Sequence, residues 1–197
     1  MRVIVIADDD SLVGRMENES ADVLISVGDI WDSTIEKAQA VYGCRKIFAV
    51  KGNHDSAAPF APNITDLHFN IAEHDGISFG GFSGSWKYKP RGHHMFEQFE
   101  VTKALRSFPA VDVFVAHNSP TGFHERDSDV HQGFQAFADY IDRVQPVYFI
   151  HGHQHVNRIS QRCKTSIVGV FGEVALNPKQ RDNKPAMAMA RTRKPSD

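Results

Sequence analysis

The chain has 197 residues, enough for one well-buried core and cramped for two independent domains. Its apolar fraction of 41% and charged fraction of 23% are ordinary for a globular protein, and a formal charge of −2 excludes any global attraction to nucleic acid or anionic membrane. Cys44 and Cys163 are too few for a disulfide scaffold, and no stretch reaches the roughly 18 apolar residues of a membrane span, so a cytoplasmic protein with reduced thiols is expected.

The first apolar run, residues 3–7, is too short for a signal-peptide core and ends on Asp8. Residues 23–27 form a second run that ends on Gly28-Asp29. Residues 33–42 have helical spacing, with Gly43 as the stop signal. Residues 47–50 run into Gly52-Asn53-His54-Asp55. Residues 77–82 read as a strand, and residues 83–96 (SGSWKYKPRGHHMF) as a loop or lid. Over residues 96–108 a helical pattern puts Phe96, Phe99, Ala104, Leu105 and Phe108 near one face, and Pro109 ends it. Residues 111–116 then run into His117. Residues 132–144 repeat Phe134, Phe137, Ala138, Ile141 and Val144 at helical spacing, and residues 147–150 run into His151-Gly152-His153-Gln154-His155. Residues 156–160 and 166–171 have hairpin spacing, so part of the architecture is antiparallel. Residues 178–197 carry Lys179, Arg181, Lys184, Arg191, Arg193 and Lys194 among small and polar residues, and read as a mobile basic tail.

Nearly continuous apolar runs suit strands covered on both faces. The fold expected is α/β: two stacked mixed β-sheets flanked by helices, a four-layer sandwich forming one domain over residues 1–177. Five of the runs end on carboxylates, imidazoles or an amide. In open α/β sheets, ligands gather beyond the carboxyl ends of the strands. Taken singly, Asp8, Asp29 and Asn53 each read as cap or turn residues. Gathered in one place without cations, such groups would repel one another where water is scarce. The joint pattern therefore points to a metal site.

The ordered set Asp8-x-Asp10, Gly28-Asp29-x-x-Asp32, Gly52-Asn53-His54-Asp55, His117 and Gly152-His153-x-His155 resembles the calcineurin-like metallophosphoesterase superfamily. The family pattern is DxH, GDxxD, GNH[DE], H and GHxH, and the resemblance spans about residues 1–177. It implies a centre of two divalent ions; Mn²⁺ is favoured by the carboxylate at Asp10, with Fe, Zn, Ni or Co as alternatives. Asp8, Asp10, Asp29 and His155 would hold one ion and Asp29, Asn53, His117 and His153 the other, with Asp29 bridging. Two cations roughly 3.5–4 Å apart lower the pKa of a shared hydroxide and clamp phosphoryl oxygens for in-line attack. His54 matches the residue that hydrogen-bonds the phosphoryl group or protonates the leaving alkoxide, and Asp32 a carboxylate that orients it.

Two departures from the pattern matter. Asp10 stands where the family has histidine, which favours harder ions if it ligates and leaves an open or water-filled position if it does not. Asp9, between the two, is expected to face away. Ser33 stands where the Ser/Thr phosphatase branch has a phosphate-gripping arginine, which fits the compact bacterial phosphodiesterase-like branch better.

On the substrate side, Lys87, Lys89 and Arg91 alternate with Trp86 and Tyr88, a mixture suited to a nucleotide-like group or equally to a solvated basic loop. His124 and Arg126 are candidates for phosphate recognition in a polar loop after His117. His131 reads as structural, His68 and His74 as exposed, and His151 as core. The resulting expectation is a metal-dependent phosphoester hydrolase, most readily a phosphodiesterase. The alternatives are a phosphomonoesterase or phosphatase, and a catalytically weak metal-binding scaffold of the same fold. A small phosphoester or nucleotide-like substrate is expected rather than long nucleic acid, which needs clustered cations. The protein is expected as a monomer or as a homodimer through apolar residues exposed on the last helix.

Overall fold

The computed structural model describes residues 1–17 and 19–178. The expected basic tail therefore lies, from residue 179 on, outside the described residues. In chain order the elements are β1 (Val3–Ala7), β2 (Val23–Ser26), α1 (Asp32–Tyr42), β3 (Lys46–Ala49), β4 (Ile64–Asp66), β5 (Ile71–His74) and β6 (Ile77–Phe82). They continue with β7 (Ser85–Trp86), β8 (Met95–Phe96), α2 (Gln98–Leu105), β9 (Val113–Ala116), α3 (Gln135–Val144), β10 (Tyr148–His151), β11 (Arg158–Arg162), β12 (Thr165–Gly169) and β13 (Gly172–Leu176).

One sheet has the order β13-β1-β2-β3-β4, parallel except for β13, and the other β11-β12-β10-β9-β6-β5, with β12, β10, β9 and β6 parallel. Strand alternation distributes β1 over two layers. Val3, Val5 and Ala7 enter the core between the sheets, while Ile4 and Ile6 pack with Ile35, Ala38 and Tyr42 of α1. In β9, Val113 and Val115 face the inter-sheet core, and Phe114 and Ala116 face α2 and α3. Each central strand is thus buried on both sides, as its continuous apolar run requires. The result is the expected four-layer sandwich.

Helix ends follow local chemistry. α1 stops at Gly43, which turns left-handed (φ 62°) and donates its N–H to Gln39. Before α2, the Glu97 N–H donates to the Glu100 carboxylate (2.7 Å), half of a capping box. α3 ends at left-handed Gln145, immediately before Pro146.

Three expectations need correction. Phe99 does not join the buried face of α2; it is 70% exposed, because Val101 and Leu105 supply that face. Exposed apolar residues are not a feature of α3, whose Phe137 and Ile141 are buried, so the suggested dimer face is absent there. His68 and His74 are half-buried; His68 packs edge-on against Phe82 and accepts the Ser83 N–H (3.0 Å). Among the described residues, no helix is long and apolar enough to cross a membrane.

Candidate metal centre

The parallel strands β1, β2, β3, β9 and β10 all end at the same edge of the sandwich, and their next residues turn sharply. Asp8 (φ 59°), Asp29 (φ 52°), His153 (φ 63°) and His155 (φ 49°) adopt left-handed backbone conformations. Such conformations cost about 1–3 kcal/mol for residues bearing a Cβ, and they cluster at functional sites. Here they return carboxylates and imidazoles toward the strand ends.

Ligand-type atoms of Asp8, Asp29 and His117 lie within 4.8 Å of one another. His117 Nδ1 donates to the Val27 carbonyl (2.8 Å), which aims Nε2 at Asn53 Oδ1 (3.2 Å) and Asp29 Oδ2 (3.5 Å). The His153 ring is 5.0 Å from that of His117, and its Nε2 donates to the Val130 carbonyl (3.0 Å). His155 Nε2 lies 3.8 Å from Asp8 Oδ1, beside Phe171. Backbone donors fix the carboxylates: His153 N–H to Asp8 Oδ2 (2.8 Å) and His54 N–H to Asp29 Oδ1 (2.8 Å). Glycine makes the close approach feasible. A Cβ on Gly52 would stand 2.0 Å from Asp29 Oδ1, and one on Gly28 (φ +95°) would stand 2.7 Å from His117 Nδ1.

The electrostatics of this cluster suit cations. Burial pushes the Asp8 carboxyl up to about 7, reinforced by Asp29 and opposed by His117. Burial also acts against ionised Asp29, yet His117 and the His54 N–H hold its carboxyl well below the usual range. Against its own burial, His117 is raised to about 9 by Asp29 and Asp8. Asp8 Oδ1 is buried and has no hydrogen-bond partner among the described residues. A buried oxygen without a donor is costly unless something positive meets it. Histidines that ligate metals donate their second ring nitrogen to a carbonyl or carboxylate, as His117 and His153 do here. The donor set therefore fits divalent metal ions.

Other residues singled out in the sequence lie in varied settings. Asp10 opens a short 3₁₀ turn, and its Oδ1 accepts the Trp31 N–H (3.1 Å) at the start of α1. Asp9 faces away, capping that turn through Ser11 and pairing with Arg15. His54 is exposed. The expected pairing of Asp32 with His54 is replaced by another: Asp32 Oδ1 meets the buried amine of Lys51 (3.5 Å), and Oδ2 accepts the Ala61 N–H (3.2 Å). An ammonium enclosed at that depth, over the Phe60 ring (3.8 Å), needs an anion, and Asp32 supplies it.

His124 does not face the site. Its Nδ1 donates to His151 Nε2 (2.9 Å) and its Nε2 accepts from Ser160 (2.8 Å), while burial, with Arg158 adding, lowers its pKa to about 4. Arg126 is exposed, and its charge depresses the titration of His131 and His155 after the larger effect of burial. Lys89 and Arg91 are exposed on the β7–β8 loop, with Lys89 Nζ 5.1 Å from the Tyr88 ring.

Three contributors escaped sequence reasoning. Asp55 Oδ2 accepts the N–H groups of Asp29 (3.0 Å) and Gly52 (2.7 Å), tying together the turns that follow β2 and β3. Its place in Gly52-Asn53-His54-Asp55 was the available signal. Fully buried Gln154 accepts the Arg126 N–H (3.0 Å) and donates to Ser119 Oγ (2.9 Å) and the His131 carbonyl (2.8 Å). Tyr88, expected from the sequence only as a stacking surface for substrate, accepts a hydrogen bond from Asn53 Nδ2 (3.3 Å).

Over 148 aligned residues the chain is 26% identical to a lariat debranching enzyme of Drosophila melanogaster, a match covering 54% of this chain and 28% of that enzyme. The chain thus spans less than a third of that relative's length. Among solved structures, the phosphopantetheinyl hydrolase of Mycobacterium tuberculosis has a TM-score of 0.53 at 13% identity, with 86% of this chain and 89% of that one covered. Wild-type Vps29 from Entamoeba histolytica, complexed with zinc, has a TM-score of 0.52 at 11% identity, with 90% and 86% covered. These two show a shared fold. The family model of the calcineurin-like phosphoesterase superfamily domain matches residues 1–194. The chain belongs to the calcineurin-like phosphoesterase superfamily.

Proposed function

We propose that the protein is a phosphodiesterase acting on a small, singly charged phosphoester, with two divalent ions at the strand ends. The observation that carries this reading is the buried Asp8 Oδ1, which accepts no hydrogen bond among the described residues, beside Asp29 and His117 and 3.8 Å from His155 Nε2. Asp8, Asp10, Asp29 and His155 would hold one ion; Asp29, Asn53, His117 and His153 the other. A pair of bound divalent ions lowers the pKa of water and neutralises charge on phosphoryl oxygens. Carboxylate-rich donors favour a hard ion such as Mn²⁺. The Trp31 N–H would hold Asp10 in orientation while its other oxygen ligates.

The protein's own residues then divide the work. The His54 backbone N–H fixes Asp29, while its exposed imidazole meets the leaving oxygen and delivers a proton. Arg126 lends positive charge on the His155 side. No lysine or arginine among the described residues is hydrogen-bonded to Asp8, Asp29, Asn53, His117 or His153. A diester carries one negative charge and a monoester about two near neutral pH, so the diester needs no more side-chain charge than Arg126 lends beside the ions. Free Cys44 and Cys163 fit a reducing, cytoplasmic setting.

The test is hydrolysis of bis-p-nitrophenyl phosphate against p-nitrophenyl phosphate with added Mn²⁺. We expect preference for the diester and a fall of about 10²–10⁴-fold in kcat for His54→Ala at unchanged metal content. Preference for the monoester would identify a phosphomonoesterase. Stoichiometric metal without hydrolysis would identify a scaffold.

A further inference from the structure

We infer that Tyr88 is a positioning residue for the second ion subsite: its hydroxyl sets the rotation of the Asn53 amide, so that oxygen rather than nitrogen faces His117. The inference rests on the ligand assignment above and extends it to a residue outside the metal-binding motifs.

An asparagine amide has two ends of nearly equal shape and opposite chemistry. Oδ1 can ligate a cation, whereas the NH₂ group presents protons to it. Packing alone discriminates poorly between the two rotations, so a hydrogen bond must decide. In this protein Asn53 Nδ2 donates to Tyr88 Oη (3.3 Å), and Oδ1 stands 3.2 Å from His117 Nε2. With the hydroxyl removed, the NH₂ group loses this partner and the rotation that turns it toward the ion becomes accessible.

Tyr88 is held firmly enough for this task. It lies just after β7, in the loop that leads to its parallel partner β8, and the two strands are joined where Ser85 N–H donates to the His94 carbonyl (2.9 Å) and Lys87 N–H to that of Phe96 (3.1 Å). The same segment is stitched to the chain on both sides of Asn53. Lys51 N–H donates to Ser83 Oγ (2.9 Å), Gly84 N–H to the Lys51 carbonyl (2.7 Å), and His94 Nε2 to the Ser56 carbonyl (3.0 Å). Residues 83–96, expected from the sequence to be a loop or lid, thus form a bracket on the Asn53 turn. Lys89 over the ring adds a cation–π contact that keeps the phenol in place.

Calorimetric titration of metal-free protein with Mn²⁺ tests the inference. Tyr88→Phe keeps the ring and removes the acceptor. We expect the second ion to bind about 10–100-fold more weakly, with the first unchanged, because outer-shell partners have effects of this size. The activity lost at limiting Mn²⁺ should return at saturating Mn²⁺. In an Asn53→Asp background both rotations present oxygen, so Tyr88→Phe should change second-site affinity by less than about threefold. Unaltered second-site affinity in Tyr88→Phe overturns the inference, as does an equal loss in both backgrounds. If wild type takes up no second ion, the ligand assignment itself falls, an outcome distinct from the other two.

Discussion

Asp10 has two chemically separable tasks open to it, and one substitution can part them. Its Oδ1 accepts the Trp31 N–H, which stands at the N-terminal boundary of α1, where backbone donors lack partners within the helix. Its negative charge lies two residues from Asp8, whose neighbourhood already contains Asp29 and Asp55. Asp10→Asn keeps an oxygen for the Trp31 N–H and removes the charge. If Asp10 ligates the first ion, that affinity should fall at least about tenfold while the melting temperature of the metal-free protein stays near wild type. Asp10→Ala should in addition destabilise the metal-free protein by about 1 kcal/mol, the usual size of a lost helix-start interaction. Wild-type affinity for two ions in Asp10→Asn would restrict the residue to its bond with α1. Calorimetry and thermal melts of the three proteins decide the matter.

At the scale of elements, β10 and the loop after β9 are joined by a chain of imidazoles with a defined direction. Ser160 Oγ donates to His124 Nε2, His124 Nδ1 to His151 Nε2 (2.9 Å), and His151 Nδ1 to the Gly152 carbonyl (2.9 Å). This order needs both rings neutral, since a proton on His151 Nε2 would confront the N–H of His124. Burial lowers His124 to about 4, with Arg158 contributing, and His151 to about 3, with His124 contributing. The unfolded chain, with histidine near 6.5, binds more protons than the folded one between about pH 4 and 6.5. Stability contributed by the neutral pair is therefore complete above about 6.5 and is lost as pH falls through that window. His124→Asn should make the decline in unfolding free energy shallower by up to about 1.4 kcal/mol per pH unit there. Urea melts from pH 4 to 7 measure it, and parallel slopes for wild type and variant would rule it out.

This same pair shows what a sequence reveals and what it hides. The turns carrying Asp8, Asp29, Asn53, His117 and His153 are legible because each follows a strand whose two buried faces leave a continuous apolar run. His124 sits in a polar stretch that looks solvated, and only the return of β11 beneath it makes it interior. Gln154 and Tyr88 act through bonds to residues 28 and 35 positions away, and no local pattern encodes such distances. Likewise, the helical face of residues 96–108 was readable as a period, while Phe99 fell outside it once α2 began at Gln98.

Across the whole molecule, the two sheets meet through an apolar core, and their polar contact is concentrated at one edge. Asp8, Asp29 and Asn53 come from the β1–β4 sheet, and His117, His153 and His155 from the sheet containing β9 and β10. Direct bonds already cross that edge, from His117 to the Val27 carbonyl and from the His153 N–H to Asp8. An ion held by both groups of donors would lock the sheets together as well as serve chemistry. A ligand that binds only the folded state stabilises it by about 4 kcal/mol at a thousandfold excess over Kd. For a protein of this size, each kcal/mol moves Tm by about 2–4 °C. Chelation should therefore lower Tm by roughly 8–16 °C, and restoring Mn²⁺ should reverse it. Because the ligands must shed protons to bind, the increment should be larger at pH 8 than at pH 6. Asp29→Asn, which withdraws the proposed bridging charge between both ions, should lose most of the increment at either pH. Scanning calorimetry with and without chelator would refute the link between sheets if wild type and Asp29→Asn gained equally from Mn²⁺.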